Sequence, residues 1–187
     1  ILIWFAVSRA MLILAGLFSF LLSPNARYPV KAAVLRGWHL TPYRLLDMWA
    51  RWDSGWYLDI VRNGYYIRGD IHTVQSNIVF FPVYPLLIRT LSCIFPQSLR
   101  TTELYLIAGL VISNLLFLAA LFLLHSLTAA SHGEKTANRT VLFLVAFPTS
   151  FIFSCVYSES TFLFLSLASF WAAGRQKWLL AALLGAI

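Results

Sequence analysis

The residues best suited to chemistry lie in one stretch, Trp49-Ala-Arg-Trp-Asp-Ser-Gly-Trp-Tyr-Leu-Asp-Ile-Val-Arg-Asn-Gly-Tyr-Tyr66. Asp53 stands there among Arg51, Trp52, Gly55, Trp56 and Tyr57. Aromatic faces stack on sugar rings, and charged groups bind sugar hydroxyls. A carboxylate in such company can act as general base on an acceptor hydroxyl. The competing reading is a surface aspartate that pairs with Arg51 or caps the local helix. Asp47 and Asp59 read as structural acids on a loop or helix surface.

A second acid, Glu159, is isolated in an apolar run, where a carboxylate needs either a partner or a function. Arg51, Arg62, Arg68 and Arg89 flank apolar surface and could hold a phosphate at headgroup depth, or serve as lipid-headgroup anchors. His39, His72, His125 and His132 have no metal-ligand spacing, so no metal is assigned. Cys93 and Cys155 sit in apolar surroundings without a CxxC and read as buried small hydrophobes. The chain carries no DxD, GxxxxGK or GxGxxG motif, and no soluble nucleotide cofactor is expected.

The elements that must position these groups follow from periodicity. At 3.6 residues per turn, Trp49, Asp53, Trp56 and Ile60 share one helical stripe, and Asn63-Gly64 ends that helix with a left-handed cap. A second short helix is expected around Tyr43 to Trp49, with Thr41 as cap and Pro42 at its first position. Both belong to the long polar connection Ser23 to Asn77, which holds seven of the 14 Lys and Arg and four of the seven Trp. Such short, Trp- and Tyr-rich helices suit the headgroup layer of a bilayer.

Around this connection the chain is apolar. Ile1 to Leu22 is a membrane helix interrupted by Ser8-Arg9, whose arginine contacts an anionic headgroup or snorkels. Ile78 to Phe95 contains Pro82, Pro85 and Arg89, and is expected to be interfacial or re-entrant. Leu104 to Leu127 is a spanning helix, followed by a polar loop at Ser131 to Arg139. Val141 to Ala173 is too long for one simple span and predicts a helical hairpin with Tyr157 to Ser160 at its tip. Ser150, Ser154 and Ser158, four apart, suit close helix packing. If Ile78 to Phe95 does not cross, Asp53 and Glu159 share one side of the membrane and the two short basic loops lie on the cytoplasmic side.

Composition agrees. Hydrophobic residues make up 60% and charged residues 11%, with a mean hydropathy of +0.76; these values lie outside the range of soluble domains. The net charge of +7 is scattered over loops flanking apolar runs, which argues for membrane-surface anchoring and against nucleic acid. The opening on Ile1 and the final apolar run from Leu179 suggest an N-terminal fragment of a longer protein.

Three ordered motifs resemble the GPI mannosyltransferase 2 (PIG-V) family, together with its bacterial relatives of the same GT-C class. Arg51-Trp-Asp-Ser-Gly-Trp-Tyr-Leu-Asp-Ile60 with Asn63-Gly-Tyr65 is similar to the first-loop signature. Phe80-Phe-Pro-Val-Tyr-Pro-Leu86 is similar to the family's Phe-Phe-Pro segment. Pro148 followed by Tyr157-Ser-Glu-Ser160 is similar to its hairpin, with Phe147 in place of the usual Ser before Pro. The resemblance implies an all-α, polytopic membrane bundle of GT-C type with a long first extracytoplasmic loop, a single domain over 1–187 lacking its C-terminal part. It also implies a mannosyltransferase that inverts configuration. The donor would be a dolichyl- or polyprenyl-phosphate mannose and the acceptor a lipid-linked glycan, namely a GPI-anchor precursor in a eukaryote or an envelope glycan in a bacterium.

The implied site has Asp53 and Glu159 as catalytic residues and Arg51, Trp52, Trp56, Tyr57, Tyr65, Arg89 and Tyr157 as substrate-binding residues, with no metal and no cofactor. A small membrane partner subunit is possible in such a system. The membrane is that of the endoplasmic reticulum in a eukaryote, or the plasma membrane in a bacterium. The alternatives are a GT-C transferase of another sugar and a non-catalytic transport or assembly subunit.

Overall fold

The computed structural model describes residues 1–22, 40–67 and 76–186. Its helices are α1 (Leu2–Leu22), α2 (Arg44–Asp47), α3 (Ser54–Asn63), α4 (Val83–Ser92), α5 (Thr102–His132), α6 (Glu134–Ala146), α7 (Glu159–Ala173) and α8 (Trp178–Ala186). Short 3-10 turns occupy Asn77–Val79, Gln97–Leu99 and Pro148–Ser154, and no strand occurs among the described residues. The all-helical membrane architecture expected from the sequence is therefore the one observed. Arg68, Asp70, His39 and His72 lie outside the described residues.

Two helices, α1 and α5, are long and apolar enough to cross a membrane. At 1.5 Å per residue they measure about 31 and 46 Å, against about 30 Å of hydrocarbon. Helix α4 has ten residues, about 15 Å, and is too short to cross as a single helix. Pro82 caps it and Pro85 sits in its first turn, where the missing N–H groups leave no intrahelical bond unmade.

The chain forms two compact units. One comprises Ile1–Phe18, Ser113–Ser154 and Glu159–Ile187. Its core is Phe117, Leu121, Val141 and Val145, packed by Ile1, Phe5, Leu144, Phe153 and Leu163. Phe117 stacks on Phe153 with centroids 4.6 Å apart.

Four expectations are corrected here. The polar stretch Ser131 to Arg139 is not a loop: only Gly133, at φ +81°, interrupts helix, because the Glu, Lys, Ala and Arg that follow are good helix formers. The expected hairpin has a broken first leg, since Pro148 holds Phe147 extended (ψ 134°) and ends α6, after which the chain turns by 83° into the 3-10 segment. That segment ends at Ser154, so Ser158 is not on a common helical stripe with Ser150 and Ser154.

Arg9 is also corrected, for it faces protein. It is buried, and its guanidinium donates to the Ser150 carbonyl (3.1 Å), Ser150 Oγ (3.2 Å) and Ser154 Oγ (2.6 Å). It lies 5.1 Å from the Phe117 ring centroid, a cation–π contact. Ser154 Oγ donates in turn to Asn114 (2.7 Å).

The other unit comprises Ser19–Ile112 and Cys155–Ser158. Helix α3 buries Tyr57, Leu58, Ile60 and Val61 along one face, against Tyr84 and Ile88 of α4. Gly109 permits a close approach, since a Cβ there would come within 2.8 Å of the Val156 side chain. The Tyr84 hydroxyl reaches the Gly109 carbonyl at 3.1 Å.

Candidate active site

The site begins where the backbone turns into α3. Trp52 has φ +44°, a left-handed conformation that costs a side-chain-bearing residue about 1–2 kcal/mol. Its ring is exposed, so the strain is not repaid by burial. Asp53 follows as the N-cap, at φ −68° and ψ −17°, and makes no side-chain capping bond. The first turn is satisfied by backbone instead. Ser54 N–H donates to the Arg51 carbonyl (3.0 Å), and Trp56 and Tyr57 donate to that of Asp53 (2.9 and 3.1 Å).

The Asp53 side chain is exposed, and no hydrogen bond or ion pair holds its carboxylate among the described residues. Neither the capping role nor the pairing with Arg51 is therefore observed. Arg51 is taken by another acid: its guanidinium donates to Asp47 (2.5 Å), which is buried and also accepts N–H groups from Leu40 (2.8 Å) and Thr41 (3.3 Å). Helix α2 is a single turn capped at Tyr43, not a helix starting at Thr41 and Pro42. The Thr41 hydroxyl nevertheless accepts the Tyr43 N–H (3.4 Å) and donates to Glu103 (2.9 Å). Trp49 lies in the turn after α2, off the α3 stripe, because the Asp47 cradle bends the chain there.

Residues from all three sequence motifs meet in this unit. The Tyr157 hydroxyl donates to the Arg51 carbonyl (2.8 Å), and Val156 N–H to that of Trp49 (3.0 Å). Tyr57 and Ser158 share a hydroxyl hydrogen bond of 2.7 Å. Phe80 lies stacked against Trp56 (6.0 Å) and edge-on to Tyr57 (5.2 Å), which in turn meets Tyr84 edge-on (5.3 Å).

The helix end is pinned as firmly as its start. Gly64 adopts φ +72° with ψ −167°, a region open essentially to glycine, so the stop is as expected but more extended than a left-handed cap. Asn77, fully buried, donates to the Gly64 carbonyl and accepts the Tyr66 N–H, both at 3.0 Å. The Tyr65 hydroxyl donates to the Phe80 carbonyl (2.7 Å). Partial desolvation raises the Tyr65 phenol above its ordinary value. Asp59 accepts from Asn63 (2.8 Å) and from the Tyr66 hydroxyl.

The sequence-derived candidates thus separate. Asp53, Trp52 and Tyr65 are exposed and Trp56 half-buried, whereas Tyr57 and Tyr157 are buried with their hydroxyls bonded to protein. Glu159 is the first residue of α7 in the other unit, half-buried, with one carboxylate oxygen fully buried. Arg89 lines a cavity of about 330 Å³ together with Val61, Arg62, Cys93, Gln97, Arg100 and Tyr105. Cys93 is exposed there, contrary to the expectation of burial, because it falls just past the end of α4. Reading the sequence missed Asn77, Glu103, Gln97 and Arg100. A lone Asn ahead of an apolar run was the only signal for the first.

These features define a polytopic helical membrane protein whose three polar motifs contribute residues to one compact unit. The chain belongs to the mannosyltransferase (PIG-V) family, whose model matches residues 9–185. It is 25% identical over 119 residues to GPI mannosyltransferase 2 of Drosophila pseudoobscura pseudoobscura, covering 62% of this chain. The match takes in about a quarter (25%) of that relative's length. No solved structure matches it.

Proposed function

We propose that the full-length protein transfers mannose from a dolichyl- or polyprenyl-phosphate-mannose donor to a lipid-linked glycan, with Asp53 as general base. The acceptor is a GPI-anchor precursor in the endoplasmic reticulum membrane of a eukaryote, or an envelope glycan at the plasma membrane of a bacterium. The observation that carries this reading is the Asp53 carboxylate, exposed and held by no side chain among the described residues, beside a strained Trp52. Family membership supplies the sugar and the reaction class.

In this reaction the acceptor hydroxyl gives its proton to Asp53 while its oxygen bonds to the anomeric carbon. The bond from that carbon to the phosphate oxygen breaks on the opposite face, inverting the configuration, and the lipid phosphate leaves with the electron pair. Trp52, Trp56 and Tyr65 offer faces and a hydroxyl edge to the sugars. Arg51, two residues from Asp53, stabilises the departing phosphate. Tyr57 and Tyr157 act by holding this surface in shape. A small membrane partner subunit completes the complex where one exists.

The test is mannose transfer by membranes carrying the full-length protein, supplied with polyprenyl-phosphate mannose and, in parallel, the corresponding glucose donor. Transfer from the mannose donor alone is the expected result. Transfer of glucose alone would replace the sugar, and solute transport without transfer would replace the reaction class.

A further inference from the structure

The cavity lined by Arg62, Arg89 and Arg100 has a composition that the transfer reaction at Asp53 does not use. Its remaining lining is Val61, Cys93, Gln97 and Tyr105, with no acid among them. Glu103, whose charge is felt by Arg62, is engaged by Thr41 and does not line the cavity. Three guanidiniums, an amide and a phenol around about 330 Å³ match the donor requirements of a phosphate ester, and no carboxylate is among the residues that line it.

The arginines are placed by structure. Arg100 is tied through its Nε to the Phe95 carbonyl (3.0 Å) and through a terminal nitrogen to that of Cys93 (3.3 Å). Arg62 donates to the Thr102 hydroxyl and lies over the Tyr105 ring, 5.9 Å from its centroid. Arg89, in the last turn of α4, is exposed.

Depth and distance identify the ligand class. Gln97 and Arg100 immediately precede α5, a helix able to span the bilayer, and Tyr105 is in its first turn. The cavity therefore opens at headgroup level, where phosphates lie. Apolar side chains are exposed on the same segment: Leu86 and Leu87 on α4, then Ile94, Phe95 and Leu99. These suit acyl chains. Asp53 caps the start of α3, whereas Arg62 lies nine residues on, about 14 Å along the helix. That rise sets the cavity at the opposite end of α3 from Asp53.

We propose that Arg62, Arg89 and Arg100 form a receptor for the phosphate group of an anionic membrane lipid, separate from the reacting donor. The assignment stands independently of the transferase reading. Cys93 reports on it, being exposed in the cavity wall, while Cys155 is buried.

The experiment measures the rate of Cys93 modification by a neutral maleimide in full-length protein, with Cys93→Ser as the blank for every other thiol. The protein is held in phosphatidylcholine nanodiscs, in nanodiscs containing phosphatidic acid, and in phosphatidylcholine with inorganic phosphate added. Phosphatidic acid slows modification in the wild type. Arg89→Ala, chosen because that side chain is exposed and carries no fold contact among the described residues, weakens this protection about tenfold in lipid concentration, the loss of one charge-assisted contact. Equal protection by inorganic phosphate would place the ligand in solution and overturn the lipid assignment. Protection unchanged in Arg89→Ala, or absent with the anionic lipid, would overturn the receptor itself.

Discussion

Two carboxylates six residues apart have opposite surroundings. Asp47 is buried and accepts two backbone N–H groups and the Arg51 guanidinium, so its charge is spent on holding the chain. Asp53 is exposed at the start of α3, next to a Trp52 whose backbone is left-handed, and no side chain among the described residues engages it. Residue type does not separate structure from chemistry here; engagement does. The same contrast holds among cations, between Arg9, satisfied inside the protein, and Arg89, exposed at a cavity.

The comparison can be broken most directly at Asp53. Asp53→Asn removes the base and keeps the shape, so mannose transfer falls about 10²–10⁴-fold with little change in melting temperature. Asp47→Ala does the reverse. It leaves the partly enclosed Arg51 and two N–H groups without their acceptor and costs about 3 kcal/mol of stability, read as a shifted melting temperature in detergent.

A smaller effect sharpens the structural side. Asn77→Ala removes two buried hydrogen bonds that pin Gly64 and Tyr66 and costs about 2 kcal/mol. The smallest lies beside Asp53. Trp52→Gly relieves the left-handed strain and stabilises by up to about 1 kcal/mol while lowering transfer. A variant both more stable and fully active would show that the strained tryptophan serves nothing.

Much of this was legible in the sequence, for reasons that differ by element. Helices α1 and α5 announce themselves by apolar length, and α3 by Gly64 at its end. The motif residues converge because aromatic and hydroxyl groups at Tyr57, Phe80 and Ser158 have few other ways to be satisfied. Partners distant along the chain were not legible. Arg9 finds Ser150 and Ser154 more than 140 residues away, so local pattern suggested lipid. Arg100 joins Arg62 and Arg89 only because the chain turns after α4. Nor could spacing tell Asp47 from Asp53, since the difference lies in backbone N–H groups folded over one and not the other.

The most direct test measures both properties in both variants: melting temperature and mannose transfer per folded molecule, for Asp47→Ala and Asp53→Asn of the full-length protein. The account predicts that Asp47→Ala melts lower yet retains transfer per folded molecule, while Asp53→Asn melts like the wild type and transfers almost nothing. Transfer retained by a folded Asp53→Asn would contradict it.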